Sequence, residues 1–214
     1  MNLRPLIPAT WQMSLAAVDL KVVETLLETE PFQPELTSIL RVLSTDPKQV
    51  KVVILGQDPY PGLGVPTGLA FDVGKQPLLP ASLRNIFTEY CQDLGLHKPD
   101  NGDLAPWAKQ GVFLLNTALT CQPGHPGSQS RPWLPFTSAI VAELVRQGAL
   151  FVVWGNHARA VACAAQATIC VSSSHPSPLS ARRGSAPFIG SRPFSAVNQA
   201  LATAGREEVN WRLS

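Results

Sequence analysis

Four short runs of β-branched and aliphatic residues, each long enough for a buried strand and too short for a helix, constrain this chain more than any other feature. They are Val50 to Leu55, Val112 to Leu115, Leu150 to Trp154 and Thr168 to Val171. Runs without polar alternation belong to strands covered on both faces, the usual condition of a parallel sheet. Helical spacing marks the segments between them, Ser82 to Leu94 and Ser138 to Gln147, and a further helix is expected over Ala16 to Glu28. Strands alternating with helices predict an α/β fold, a central four-stranded parallel sheet flanked by helices. The length of 214 residues suits one domain over 1–214, and 45% hydrophobic against 15% charged residues excludes wholesale disorder.

No apolar run approaches the roughly 20 residues of a spanning helix, and the opening Met-Asn-Leu-Arg-Pro-Leu-Ile-Pro lacks the layout of a signal peptide. A soluble, cytoplasmic protein is therefore expected, with no membrane partner, and a monomer is expected as well. Cys91, Cys121, Cys163 and Cys170 form neither a CxxC pair nor a Cys/His cluster, so no metal and no cofactor is expected, and the thiols should be buried. Charge is unevenly spread. Residues 1–110 carry 9 Lys/Arg and 12 Asp/Glu, a net of −3, whereas residues 111–214 carry 8 and 3, a net of +5. A positive face for a polyanion is one reading; a solvated surface short of carboxylates is the other.

In open α/β sheets ligands bind beyond the carboxyl ends of the strands, so the residues after each run bear on function. They are Gly-Gln-Asp-Pro-Tyr-Pro-Gly (56–62), Asn116-Thr117, Gly155-Asn156-His157 and Ser-Ser-His-Pro-Ser-Pro-Leu-Ser (173–180). Alone, Asp58 before a proline reads as a turn starter, and His175 as a turn histidine. Together at one sheet edge, a carboxylate and an imidazole can serve hydrolysis, one facing cationic character or water and the other an oxygen that becomes negative. Asn116 could tie loops together or read a base edge, since an amide offers a donor beside an acceptor. Phe71 could be a core aromatic or stack on a base, and Tyr60 could wall the same pocket.

With these residues in view, the sequence resembles the family 1 uracil-DNA glycosylases over nearly its whole length. The matching segments are VKVVILGQDPY (50–60), GLAFDV (68–73), SLRNIF (82–87), NGDLAPWAKQGVFLLNTALT (101–120), VVWG (152–155) and HPSPLSARRG (175–184), in the family's order. The resemblance implies a monofunctional glycosylase that flips uracil out of single- or double-stranded DNA and hydrolyses its bond to the sugar. It implies that Asp58 positions water and stabilises an oxocarbenium-like sugar, while His175 donates a hydrogen bond to uracil O2. Gln57 would contact uracil through its backbone, Asn116 would bind the N3 and O4 edge, Phe71 would stack, and Tyr60 would exclude a C5 methyl group. Ser82 and Ser177 would grip phosphates, and Leu179 would fill the space left by the flipped nucleotide. Proteinaceous inhibitors of the family are further partners that it implies.

The chain also departs from the family pattern. Pro61 stands where a histidine is usual, Leu63 to Thr67 replaces a Pro-x-Gln-Ala-His segment, and Ser191 and Pro193 replace a cysteine and a histidine. Three rivals meet contrary features. A mismatch glycosylase normally lacks this Gln-Asp-Pro-Tyr; a non-catalytic uracil reader needs neither Asp58 nor His175. A phosphate-ester hydrolase would want metal-binding acids or a glycine-rich phosphate loop.

Overall fold

A computed structural model of the protein describes residues 1–213. Helices α1 (Ala9–Leu15), α2 (Lys21–Thr29) and α3 (Leu36–Ile39) precede strand β1 (Val52–Gly56). There follow α4 (Ala81–Leu94), α5 (Ala105–Lys109), β2 (Val112–Asn116), α6 (Ser130–Arg146), β3 (Leu150–Trp154), α7 (Asn156–Ala164), β4 (Thr168–Ser173) and α8 (Pro193–Thr203). The four strands are parallel in the order β2-β1-β3-β4, as the apolar runs predict. Every residue of β1 and β2 is buried, which continuous Val, Leu and Ile runs allow because both faces meet helices. Although β2 lies at the end of the order, it is not a bare edge: the Ala70 N–H donates to the Leu114 carbonyl at 2.9 Å. That bond lays the chain of Gly68 to Phe71 alongside β2.

Two helices differ from the expected ranges. The helix expected over Ala16 to Glu28 starts only at Lys21, because residues 16–20 form the turn that separates α2 from α1, which ends at Leu15. Arg4 takes the freed carbonyls of Leu15 and Val18 at 2.7 and 2.6 Å, and Asp19 accepts the Lys21 N–H at 2.9 Å to begin the next helix. Helix α6 starts at Ser130 rather than Ser138. It carries Pro132 in its first turn, where no N–H is needed, and Pro135 deeper in, where the lost bond is offset by tertiary packing of the buried Trp133 and Phe136. The cysteine expectation also needs correction: Cys121 alone is buried, Cys91 and Cys170 are half-buried and Cys163 is exposed. Among the described residues no helix is long and apolar enough to cross a membrane.

Candidate active site at the carboxyl edge of the sheet

The β1–β2 pairing does not stop at the strand ends. The Thr117 N–H donates to Gly56 O at 3.1 Å, and the Ala118 N–H and Thr117 hydroxyl donate to Gln57 O, each at 2.9 Å. The turn carrying Gln57, Asp58 and Tyr60 is thus locked onto the end of β2. Its far side is tied by Gln33, whose amide donates to the Tyr60 carbonyl at 2.7 Å, and by the Gly124 N–H on the Pro61 carbonyl at 2.8 Å. A cavity of about 200 Å³ opens there, lined among others by Gln57, Asp58, Tyr60, Phe71, Asn116 and His175. Ser82, near the start of α4, reaches the same cavity. Seven of the nine residues singled out from sequence therefore converge.

Asp58 is partly buried, and its Oδ2 accepts the Gly127 N–H from the loop between β2 and α6. Burial raises its carboxyl pKa, opposed by that amide bond and by nearby His157. His157 meets the Thr117 hydroxyl at 2.7 Å. Because that hydroxyl donates to Gln57 O, the imidazole must supply the proton between them.

Burial lowers the pKa of His175, favouring the neutral ring. Its Nδ1 accepts the Ser177 N–H at 3.0 Å, so Nδ1 carries no proton and the neutral ring bears its hydrogen on Nε2. Gly155, at φ +94°, leaves room for it: a Cβ there would stand 3.0 Å from the His175 Cβ.

Asn116, the last residue of β2, is only 7% exposed, yet its amide has no hydrogen-bond partner in the protein among the described residues. Lining the cavity, that amide is left free to pair with whatever enters it. Gly56 makes its position possible, since a Cβ on Gly56 would fall 2.1 Å from Asn116 Oδ1. Phe71 adopts φ +65°, a left-handed conformation uncommon for a bulky residue. Strain of this kind persists where surroundings impose it. Here Ala70 is bonded to β2 on one side, and Asp72 on the other accepts the Leu104 N–H at 2.7 Å and Arg41 at 3.2 Å. The Phe71 ring is 5.5 Å from Trp154 and 6.0 Å from His175, centroid to centroid. Burial pushes the Tyr60 phenol pKa up, with nearby Asp72 adding to it, and its hydroxyl is buried without a partner among the described residues.

Ser177 and Leu179 lie outside the cavity lining. The Ser177 hydroxyl is engaged with that of Ser180 at 2.9 Å, and Leu179, on the same loop, is 79% exposed. Sequence reasoning missed Gly56, Gly127 and Trp154. The two glycines had a signal in their placement, one closing a strand and one in the Pro-Gly-His-Pro-Gly turn. A larger cleft of about 850 Å³ lies at the opposite end of the sheet, but it contains none of the singled-out residues. Two of its cations are internally committed, Lys51 to Glu207 and Arg206 to the carbonyls of Val50 and Gly148. No group of three potential metal ligands occurs among the described residues.

The family described as the uracil DNA glycosylase superfamily matches residues 44–202, which include all the cavity residues named above. The uracil-DNA glycosylase of Mycolicibacterium gilvum is 42% identical over 227 aligned positions that span both chains completely. That of Thermobifida fusca is 43% identical, over 87% of this chain and 82% of the other. Among solved structures, mimivirus uracil-DNA glycosylase superposes with a TM-score of 0.90 at 27% identity, covering all of this chain and 90% of that one. A variant of the mimivirus enzyme in complex with UGI gives a TM-score of 0.89 at 28% identity. With the family model covering residues 44–202 and relatives 42% and 41% identical over the whole chain, the chain belongs to the uracil-DNA glycosylase superfamily.

Proposed function

We infer that this protein is a monofunctional uracil-DNA glycosylase of family 1, which adds water across the N-glycosidic bond of deoxyuridine in DNA and so initiates base excision repair. The observation that carries the reading is the buried, unpartnered amide of Asn116 in a cavity of about 200 Å³ shared with Asp58, Phe71 and His175. An enzyme acting on a base must take it out of the stack into a pocket that reads its edge. Uracil presents N3–H beside a carbonyl at C4, which match the carbonyl and the NH₂ of one amide. The ring of Phe71 offers the stacking surface, the Gln57 backbone a further contact, and Tyr60 occupies the space a C5 methyl group would need.

As the bond to the sugar lengthens, the sugar becomes cationic and the uracil anionic. The Asp58 carboxylate stabilises the first and orients the attacking water; the Nε2–H of neutral His175 stabilises the second by donating to O2. Both are charge-stabilising contacts that strengthen in the transition state, the condition for raising a rate rather than an affinity. Water supplies hydroxyl to C1′ and its proton ends on the departing uracilate, leaving an abasic site and free uracil. Ser82 and Ser177 hold phosphates on either side, and exposed Leu179 enters the duplex in place of the flipped nucleotide. The family's proteinaceous inhibitors are proposed as competing partners for this face, by analogy with the UGI complex of the mimivirus variant.

The test is incubation of the protein, in excess chelator, with an oligonucleotide containing a single uracil. Free uracil together with an alkali-labile abasic site is expected. An intact glycosidic bond, or release that depends on an added divalent ion, would contradict the reading.

A further inference from the structure

We propose that Asn85 is a positioning residue for His175, fixing the peptide unit that sets the tautomer of its ring. The proposal rests on the reading of His175 as a neutral donor to the departing base.

Residues 85, 89 and 93 fall at i, i+4 and i+8 on α4 and so share one face of that helix. All three are polar, and all three hold the segment that follows β4. Glu89 accepts the N–H groups of Gly190 and Arg192 at 2.6 and 2.8 Å. Asp93 accepts those of Phe194 and Ser195 at 2.8 and 2.9 Å. These two clamp the far end of the segment, more than a dozen residues beyond His175. Asn85 alone acts at its near end, where its Nδ2 donates to the Pro176 carbonyl at 2.7 Å.

The Pro176 carbonyl and the Ser177 N–H belong to one peptide unit. That unit is planar, so its C=O and N–H turn together. The oxygen is held by Asn85 and the N–H points at His175 Nδ1. Asn85 is the partner found for that oxygen among the described residues, so removing its amide frees the unit to rotate and take the N–H away from Nδ1. Phe71 at 6.0 Å and Gly155 also neighbour the ring, but neither offers a side-chain donor or acceptor that could specify which nitrogen bears the proton. Without the Ser177 N–H, the Nδ1–H tautomer becomes accessible, and in it Nε2 is an acceptor that repels the developing oxyanion. Because Ser82 lines the cavity from the first turn of the same helix, α4 ties a cavity wall and the histidine turn to one rigid element.

The experiment is a double-mutant cycle on the full chain, combined with ¹⁵N NMR of the histidine rings. Asn85→Ala deletes the donor; Asn85→Asp keeps the volume and replaces the donor with an acceptor, which maintains the test should the alanine variant fold poorly. Single-turnover excision of uracil should fall on the order of tenfold to a hundredfold, as for other displacements of a catalytic group, with DNA affinity unchanged. The His175 resonances should move from a pure Nε2–H pattern toward a mixture. In a His175→Ala background the same substitution should cause almost no further loss, since its effect runs through the ring. Equal losses in both backgrounds, or a wild-type rate with the Nε2–H pattern intact, would overturn the proposal for Asn85 alone. If instead His175→Ala is itself as fast as wild type, the reading of His175 fails first and the proposal falls with it.

Discussion

Replacing Gly56 by alanine is the smallest change that tests the geometry of the base-reading amide. Gly56 ends β1 in register with Asn116, and its backbone does not need glycine, so in an ordinary strand alanine would be favoured by about 0.5–1 kcal/mol. Here the added methyl group would stand 2.1 Å from Asn116 Oδ1 and 3.1 Å from the Ala70 Cβ. A carbon and an oxygen approach comfortably at about 3.3 Å, so the amide oxygen must retreat by about 1.2 Å. Separation of the strands is resisted by the Thr117 N–H on Gly56 O, which leaves rotation of the side chain as the easier response. Overpacking costs about 1–3 kcal/mol, which leaves a net destabilisation of about 0–2.5 kcal/mol after the alanine gain. A positioning group displaced by about 1 Å can lower a rate on the order of a hundredfold. Urea unfolding and single-turnover uracil release measure the two effects separately. The double variant Gly56→Ala/Asn116→Ala, which removes the clashing oxygen, should regain stability but not rate. A Gly56→Ala enzyme that excises uracil at the wild-type rate would refute the assignment of base reading to Asn116 in its observed position.

Two further outcomes follow from the cavity. An attractive apolar pocket separates ligands differing by one methyl group only about 10- to 200-fold, so thymine must be refused sterically. Tyr60→Ala should gain measurable thymine release from duplex DNA while losing some uracil activity, and a variant that leaves thymine untouched while excising uracil normally would move discrimination elsewhere. The rate should depend on ionised Asp58 and neutral His175. With the His175 pKa lowered, the rate should stay level as pH falls through the ordinary histidine value of about 6.5; with that of Asp58 raised, it should decline at a pH above the ordinary aspartate value of about 4. The unfolded chain protonates His175 first, so this residue's contribution to stability falls as pH drops below its unfolded value. Asp58 acts oppositely, favouring the fold at low pH and losing that effect as pH rises through its folded value. A rate-versus-pH profile that begins to fall near pH 6.5 would contradict the lowered histidine.

The strands were legible because a strand buried on both faces requires an unbroken apolar run, and little else in this chain supplies one. Gln57, Asp58, Tyr60, Asn116 and His175 were legible as a group because each ends or follows a strand, and parallel topology brings strand ends together; Phe71 and Ser82, far from any strand end, were placed by resemblance. What escaped depends on backbone groups far apart in sequence. The Gly127 N–H on Asp58 and the Pro176 carbonyl on Asn85 join residues 69 and 91 positions apart, and a backbone amide or carbonyl has no identity in the sequence. The break between α1 and α2 has the same origin, since it depends on Arg4 reaching carbonyls 11 and 14 residues away. The early start of α6 was hidden by Pro132 and Pro135, whose local preference is outweighed by burial of Trp133 and Phe136. Leu179 could be placed by resemblance alone; as an exposed loop residue it has no contact that marks it.

Asp58 is assigned to stabilising the transition state rather than to capping a turn. The most direct test of that assignment is the single-turnover rate of uracil release by Asp58→Asn, measured beside its affinity for the same single-uracil oligonucleotide. Asparagine keeps the shape and loses the charge, so near-native binding with a rate lowered by orders of magnitude is the predicted result. A near-native rate would remove Asp58 from the chemistry and leave it as the acceptor of the Gly127 N–H.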